Sequence, residues 1–247
     1  MTRFGSSFIG TSGWRYQHWL GPVYPDDMPL DDALGYYAGI LHAVEVNSTF
    51  YGLPQETSID GWLAATPPGF VFAVKASRYL THMKKLKDPG AGLQRFMDAV
   101  GPLGERLGPI LFQLPPRWRC NPERLANFLT ALPSGQRYAF EFRDPSWHND
   151  SVAALLEARN AAFCVFELAG MRAPRLTTAD FVYIRLHGPA AAYRGRYDGR
   201  ALRRWAERIG QWCANGLDVY CFFDNDEAGY AFENAAGLAG LVAAAKP

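Results

Sequence analysis

The chain has 247 residues, 49% of them hydrophobic and 14% aromatic, enough to bury one sizeable core in a single domain spanning 1–247. Lys and Arg number 25 against 24 Asp and Glu, and a net charge of +1 excludes a global field drawing the chain to nucleic acid or membrane. Cys120, Cys164, Cys213 and Cys221 lie far apart with no Cys-x-x-Cys pair, which excludes a disulfide frame or zinc site as the organising device.

Along the chain, extended apolar runs alternate with helical stretches. The pattern predicts strands near 8–13, 43–50, 70–76, 109–114, 137–143, 162–167, 181–187 and 218–224. Helices fit 30–41, 55–65, 91–107, 122–131, 150–159, 200–215 and 231–244. Asn121-Pro122-Glu123 supplies a cap, a first-turn proline and an early acid, and Asn149-Asp150-Ser151 supplies three cap candidates. Gly216 suits a helix stop. Eight strands with helices between them predict an α/β fold, a single-domain (β/α)8 TIM-like barrel. The stretch 168–180 is too short and proline-broken for a full helix, so the sixth helix is read as degenerate.

Polar residues close these strands in a common phase. They are Glu45 and Asn47, Lys75, Gln113, Glu141 and Arg143, and Arg185 and His187. Strand side chains alternate faces, so Val44, Val46, Phe72, Val74, Phe140 and Phe142 fall on the opposite side. Five strands ending in the same phase describe one concave polar site at the carboxyl end of a sheet, where barrel enzymes carry their working groups.

Several motifs make the chain similar to a known family. Ile9-Gly10-Thr11-Ser12-Gly13-Trp14, then Tyr16, Trp19 and Tyr24-Pro25, resembles the opening of the YecE-like family, domain of unknown function 72. Glu45-Val46-Asn47-Ser48-Thr49-Phe50-Tyr51, Phe72-Ala73-Val74-Lys75 and Phe112-Gln113-Leu114-Pro115-Pro116 resemble its successive signatures. So do Glu141-Phe142-Arg143 with Trp147, Arg185-Leu186-His187-Gly188 and Phe223-Asp224-Asn225-Asp226. The resemblance covers nearly the whole chain and implies a TIM-barrel fold without an established reaction. One position departs: Asp224 stands where the family motif more often reads Asn, adding a carboxylate.

The chemistry is therefore read from the residues. Lys75, Arg143 and Arg185 face Glu45 and Glu141, three fixed cations to two anions, which predicts a small anionic ligand bearing phosphate or carboxylate. The acid–base reading takes Glu141 as base, His187 as acid and Lys75 with Arg185 as the clamp. Asn47 and Gln113 orient the ligand, while Trp14, Tyr193 and Asp224 complete the binding set. A hydrolase, lyase or isomerase fits equally, and no cofactor is named. A buried structural ion-pair network is the competing account of the same charges.

No Gly-x-Gly-x-x-Gly, Walker loop, Gly-x-Ser-x-Gly elbow or His-Glu-x-x-His occurs, and the inward cations oppose a divalent metal, so no metal ligands are assigned. The alternative function is noncatalytic nucleotide or nucleic-acid binding through the basic 78–87 loop and the arginines of 194–204. Met1 to Gly10 lacks a signal peptide's apolar stretch and Ala235 to Ala245 is too short for a bilayer, so a cytoplasmic location away from membranes is expected.

Overall fold

A computed structural model describes residues 3–245. The strands are β1 (Ser7–Thr11), β2 (Ala43–Val46), β3 (Val71–Lys75), β4 (Leu107–Gln113) and β5 (Tyr138–Glu141). They continue as β6 (Ala162–Phe163), β7 (Val165–Leu168), β8 (Met171–Arg172), β9 (Phe181–Leu186) and β10 (Asp218–Phe223). The helices are α1 (Ala33–Ala38), α2 (Glu56–Ala65), α3 (Gly90–Val100), α4 (Pro122–Ala131), α5 (Asp150–Glu157), α6 (Gly199–Ala214) and α7 (Tyr230–Ala244).

The helix starts follow the cap chemistry of the sequence. Asn121 Oδ1 accepts from Arg124 N–H at 2.9 Å, and Asn149 Oδ1 from Val152 N–H at 3.1 Å. The helix expected over 91–107 stops at Val100, and residues 101–106 form a tighter turn. Pro102 lacks an amide proton and Gly104 adopts φ 55°, so the α-helical ladder cannot continue. The expected strand over 43–50 also ends early, because Ser48–Phe50 turns back as a short helical turn.

The strands form two five-stranded sheets rather than one ladder closed into a barrel. One runs β2-β3-β4-β5-β6 and the other β1-β10-β9-β7-β8. All pairings are parallel except the antiparallel β7–β8 hairpin, whose turn and second strand open the stretch 168–180 read as a degenerate sixth helix. Its two turn residues, Ala169 and Gly170, both have positive φ, as a two-residue hairpin turn requires. Two features relate the sheets. The extended run 162–168 pairs with β5 through its first half and with β9 through its second, and Cys164 N–H between them still donates to Phe140 O at 2.8 Å. Ser12 bridges Glu45 in parallel, with Gly13 N–H donating to Glu45 O at 2.9 Å. Gly10 permits this approach: a Cβ there would lie 1.9 Å from Ala43 O.

The alternation of side chains sorts the two faces as the sequence pattern demands. Phe112 and Phe140 stack at 5.1 Å and meet Phe128 of α4, while Trp62 of α2 stacks on Phe72 at 6.1 Å. Each of the fully buried phenylalanine rings contributes roughly 1.5–3 kcal/mol. The opposite phase carries Ala73, Ala139 and Tyr183 and ends in Lys75, Glu141 and Arg185. Among the described residues no helix is long and apolar enough to cross a membrane.

Candidate functional site

Arg185 is the centre of a charged cluster. It is fully buried, and burial alone would disfavour its charge, but Glu45, Glu141 and Asp224 hold the guanidinium firmly protonated. Its Nε donates to Glu45 Oε1 and Oε2 at 3.1 and 3.0 Å, and its Nη2 to Glu45 Oε1 at 2.7 Å. Nη1 donates to Glu141 Oε2 at 2.7 Å, and Nη2 to Asp224 Oδ2 at 2.9 Å. Ser12 Oγ and Tyr183 Oη donate to Glu45 from either side, at 2.6 and 2.7 Å. This is the geometry that a planar fork makes possible and an ammonium does not.

Around this centre lies a second layer. Arg143 Nε donates to Glu141 Oε1 at 2.6 Å, and its Nη1 reaches Tyr193 Oη at 3.0 Å. Burial pushes the Glu141 carboxyl up, yet Arg143, Arg185 and His187 together hold it well below the usual carboxylate range. His187 is also fully buried, with Nδ1 3.0 Å from Asp224 Oδ2 and Nε2 3.3 Å from Arg185 Nη1. The ring thus faces a carboxylate through Nδ1 and both a guanidinium and, at 3.6 Å, Glu141 Oε1 through Nε2. Asp224 behaves as Glu141 does: burial raises its carboxyl, while Arg185 and the His187 bond bring it below its ordinary value.

Lys75 differs from all of these. Among the described residues its ammonium makes no hydrogen bond or ion pair, and Nζ rests 4.4 Å from the centroid of the Phe50 ring. Burial and the nearby Arg185 lower its ammonium from 10.5 to about 8, against the pull of Glu141, Glu45 and Asp224. His82 sits on the same side, its ring 5.0 Å from Phe50. Burial, Lys75, Arg143 and Arg78 lower that imidazole to about 4. The mouth of the cluster is therefore cationic, while the base is neutralised.

The structure brings together Glu45, Lys75, Glu141, Arg143, Arg185, His187, Tyr193 and Asp224, all named from the sequence. Three others stand apart. Gln113 turns its amide to its neighbour's carbonyl, Leu114 O, at 2.7 Å. Asn47 and Trp14 line an aromatic cavity of about 500 Å³ with Tyr16, Tyr51 and Trp62, and Asn47 Oδ1 is buried without a partner.

Three assignments change for physical reasons. Arg185 offers no free edge to a ligand, because its donors are already taken by three carboxylates. Glu141 is a poor base, since both its oxygens accept from guanidinium groups and its proton affinity is depressed. The surplus of three cations over two anions disappears once Asp224 supplies a third carboxylate. Sequence reasoning also missed Ser12, Tyr183, Phe50 and His82. Tyr183 was detectable, lying two residues before Arg185 in the same strand phase. The others lie in an isolated bridge (Ser12) and two short helical turns (Phe50, His82) and carry no periodic signal. Among the described residues no group of three or more His, Cys, Asp or Glu is arranged to hold a metal ion.

Comparison with known proteins places this arrangement in context. The family described as "Protein of unknown function DUF72" matches residues 8–247. The UPF0759 protein YunF of Bacillus subtilis is 23% identical over 264 residues, covering 92% of this chain and 91% of that protein. The UPF0759 protein YecE of Escherichia coli is 28% identical over 145 residues, 57% of this chain and 49% of that protein. A DUF72 family protein of Thermotoga maritima has a crystal structure similar to this one, with TM-score 0.87 and 29% identity over 96% of this chain and 99% of that one. A second, from Enterococcus faecalis, shares the fold with TM-score 0.82 at 18% identity, covering 98% and 97% of the two chains.

Proposed function

The chain belongs to the DUF72 family of proteins of unknown function, and from that premise we propose that it is an enzyme carrying out acid–base chemistry on a small carboxylate- or phosphate-bearing ligand. The fold within that reading is one (β/α)8 barrel over 1–247, with the run 162–168 and the Ser12–Glu45 bridge as its two seams. The protein acts in the cytoplasm.

The observation that carries the proposal is Lys75. A half-buried ammonium lowered to about 8, with no anionic partner, is a group kept ready to exchange a proton. A structural lysine in such a place would be expected to hold a carboxylate. In this reading Lys75 is the base, and Arg143 with Tyr193 seats the ligand's anionic group. Arg185 and its carboxylates form the rigid floor, and the Asp224–His187 pair orients that floor. Asn47 and Trp14 serve the ligand only through the aromatic cavity they line, and Gln113, turned to Leu114 O, has no part in this reading.

A screen of phosphate- and carboxylate-bearing metabolites by thermal shift tests the reading. A ligand at a hundredfold excess over its dissociation constant should stabilise the fold by about 2.7 kcal/mol. Lys75→Met and Arg143→Gln should each abolish that shift. A library without a single stabilising member, or a shift that survives both substitutions, rejects the proposal.

A further inference from the structure

Away from the central cluster, the β7–β8 hairpin and one face of α6 enclose a cleft of about 290 Å³, at the small end of ligand sites. Four guanidinium groups line it: Arg172 and Arg175 from the hairpin side, Arg204 and Arg208 from α6. Glu167 is the one carboxylate of that lining, its Oε1 3.5 Å from Arg172 Nε. Among the described residues Arg175, Arg204 and Arg208 form no ion pair. The cleft thus concentrates four cations against one anion, in a chain whose net charge is only +1.

Nothing in the packing of the fold calls for that concentration. Arg204 and Arg208 lie one helical turn apart, where like charges repel. Arg208 lies over the Trp205 ring at 5.6 Å, and burial together with Arg175 disfavours its charge. The hairpin that presents Arg172 is held by the positive-φ pair Ala169 and Gly170, so the two walls are built elements. Gly188, at φ 110°, carries the loop beneath them: a Cβ there would lie 2.3 Å from Arg194 O.

We propose that this cleft is a binding site for an anion bearing two adjacent phosphoryl groups, separate from the Arg185 cluster. Forked donors on two facing walls suit phosphate oxygens, and two phosphoryl groups would offset the surplus charge. The same chemistry is presented by a free diphosphate and by consecutive phosphates of a nucleic-acid strand.

Calorimetric titration of the full chain with inorganic pyrophosphate, orthophosphate and a short oligothymidylate tests the proposal. Pyrophosphate should bind saturably and more tightly than orthophosphate. Arg175→Gln and Arg204→Gln, both at exposed positions, should each weaken it about tenfold. The Lys84→Gln/Lys85→Gln pair, outside the cleft, should leave it unchanged. Pyrophosphate binding tighter than the oligonucleotide identifies a small-molecule site. The reverse order, with the same arginine dependence and a steep loss in salt, identifies a strand. The proposal is overturned if neither diphosphate source binds, if the arginine variants bind as the parent does, or if the Lys84/Lys85 control removes the binding.

Discussion

Arg185 and Glu45 belong to different sheets, yet three hydrogen bonds of 2.7 to 3.1 Å join their side chains in the interior. Arg185 also reaches Glu141 of Glu45's own sheet and Asp224 just beyond the end of its own. One guanidinium therefore pins the carboxyl ends of both sheets, and the charged cluster serves the fold as well as any chemistry above it.

Removing that pin should be severe. Breaking a buried ion pair typically costs about 3–5 kcal/mol, because the remaining charge is left without compensation. Arg185→Met strands three carboxylates, so a loss at or above the top of that range is expected in chemical denaturation. The deficit should shrink on acidification, as the stranded carboxylates take up protons. In the parent, the contribution of Glu141 and Asp224 is present above their ordinary titration range and is lost as pH falls through their depressed values. A variant as stable as the parent at neutral pH would contradict this account.

Lys75→Met should behave in the opposite way, leaving the melting temperature unchanged or raised. The folded state lowers this ammonium from 10.5 to about 8, so folding below pH 8 carries the penalty of a poorly compensated charge. Between these values the unfolded chain binds more protons than the native one, and stability rises with pH through that window. Comparing parent and variant melting curves from pH 7 to about 10 should show the gap closing as pH rises. A large drop in stability on substitution would assign Lys75 to the structural network.

Chemical labelling gives a second reading of the same group. Under competitive acylation, Lys75 should gain reactivity with a midpoint near pH 8, well below the ordinary lysine value of 10.5. Peptide mapping of the modified chain resolves the sites. A Lys75 midpoint at the ordinary lysine value of 10.5 would refute a tuned amine.

Asp224→Asn tests the charge balance of the cluster. The parent sets Lys75, Arg143 and Arg185 against Glu45, Glu141 and Asp224, and the variant leaves one cation over. The amide oxygen can still accept from Arg185 and His187, so the fold should be preserved. Anion-induced stabilisation measured by thermal shift should therefore increase. An unchanged or smaller response would show that the mouth, not the net charge of the floor, governs binding.

Sequence alone determined the alternation of strands and helices, the cap positions at Asn121 and Asn149, and the convergence of Glu45, Lys75, Glu141, Arg143, Arg185 and His187. Those properties are local: period-two alternation assigns each side chain a face before any partner strand is known. The tertiary structure decided the roles. That Arg185 is fully saturated, that Asp224 rather than a ligand completes its shell, and that Lys75 meets an aromatic ring instead of a carboxylate are facts about distances between strands and loops remote in sequence. It also decided that the ladder divides into two sheets at Cys164 and at the Ser12–Glu45 bridge, because pairing depends on how closely backbones approach. A charge pattern states which groups share a face. Only the packed fold determines which of them neutralise one another and which one remains without a partner.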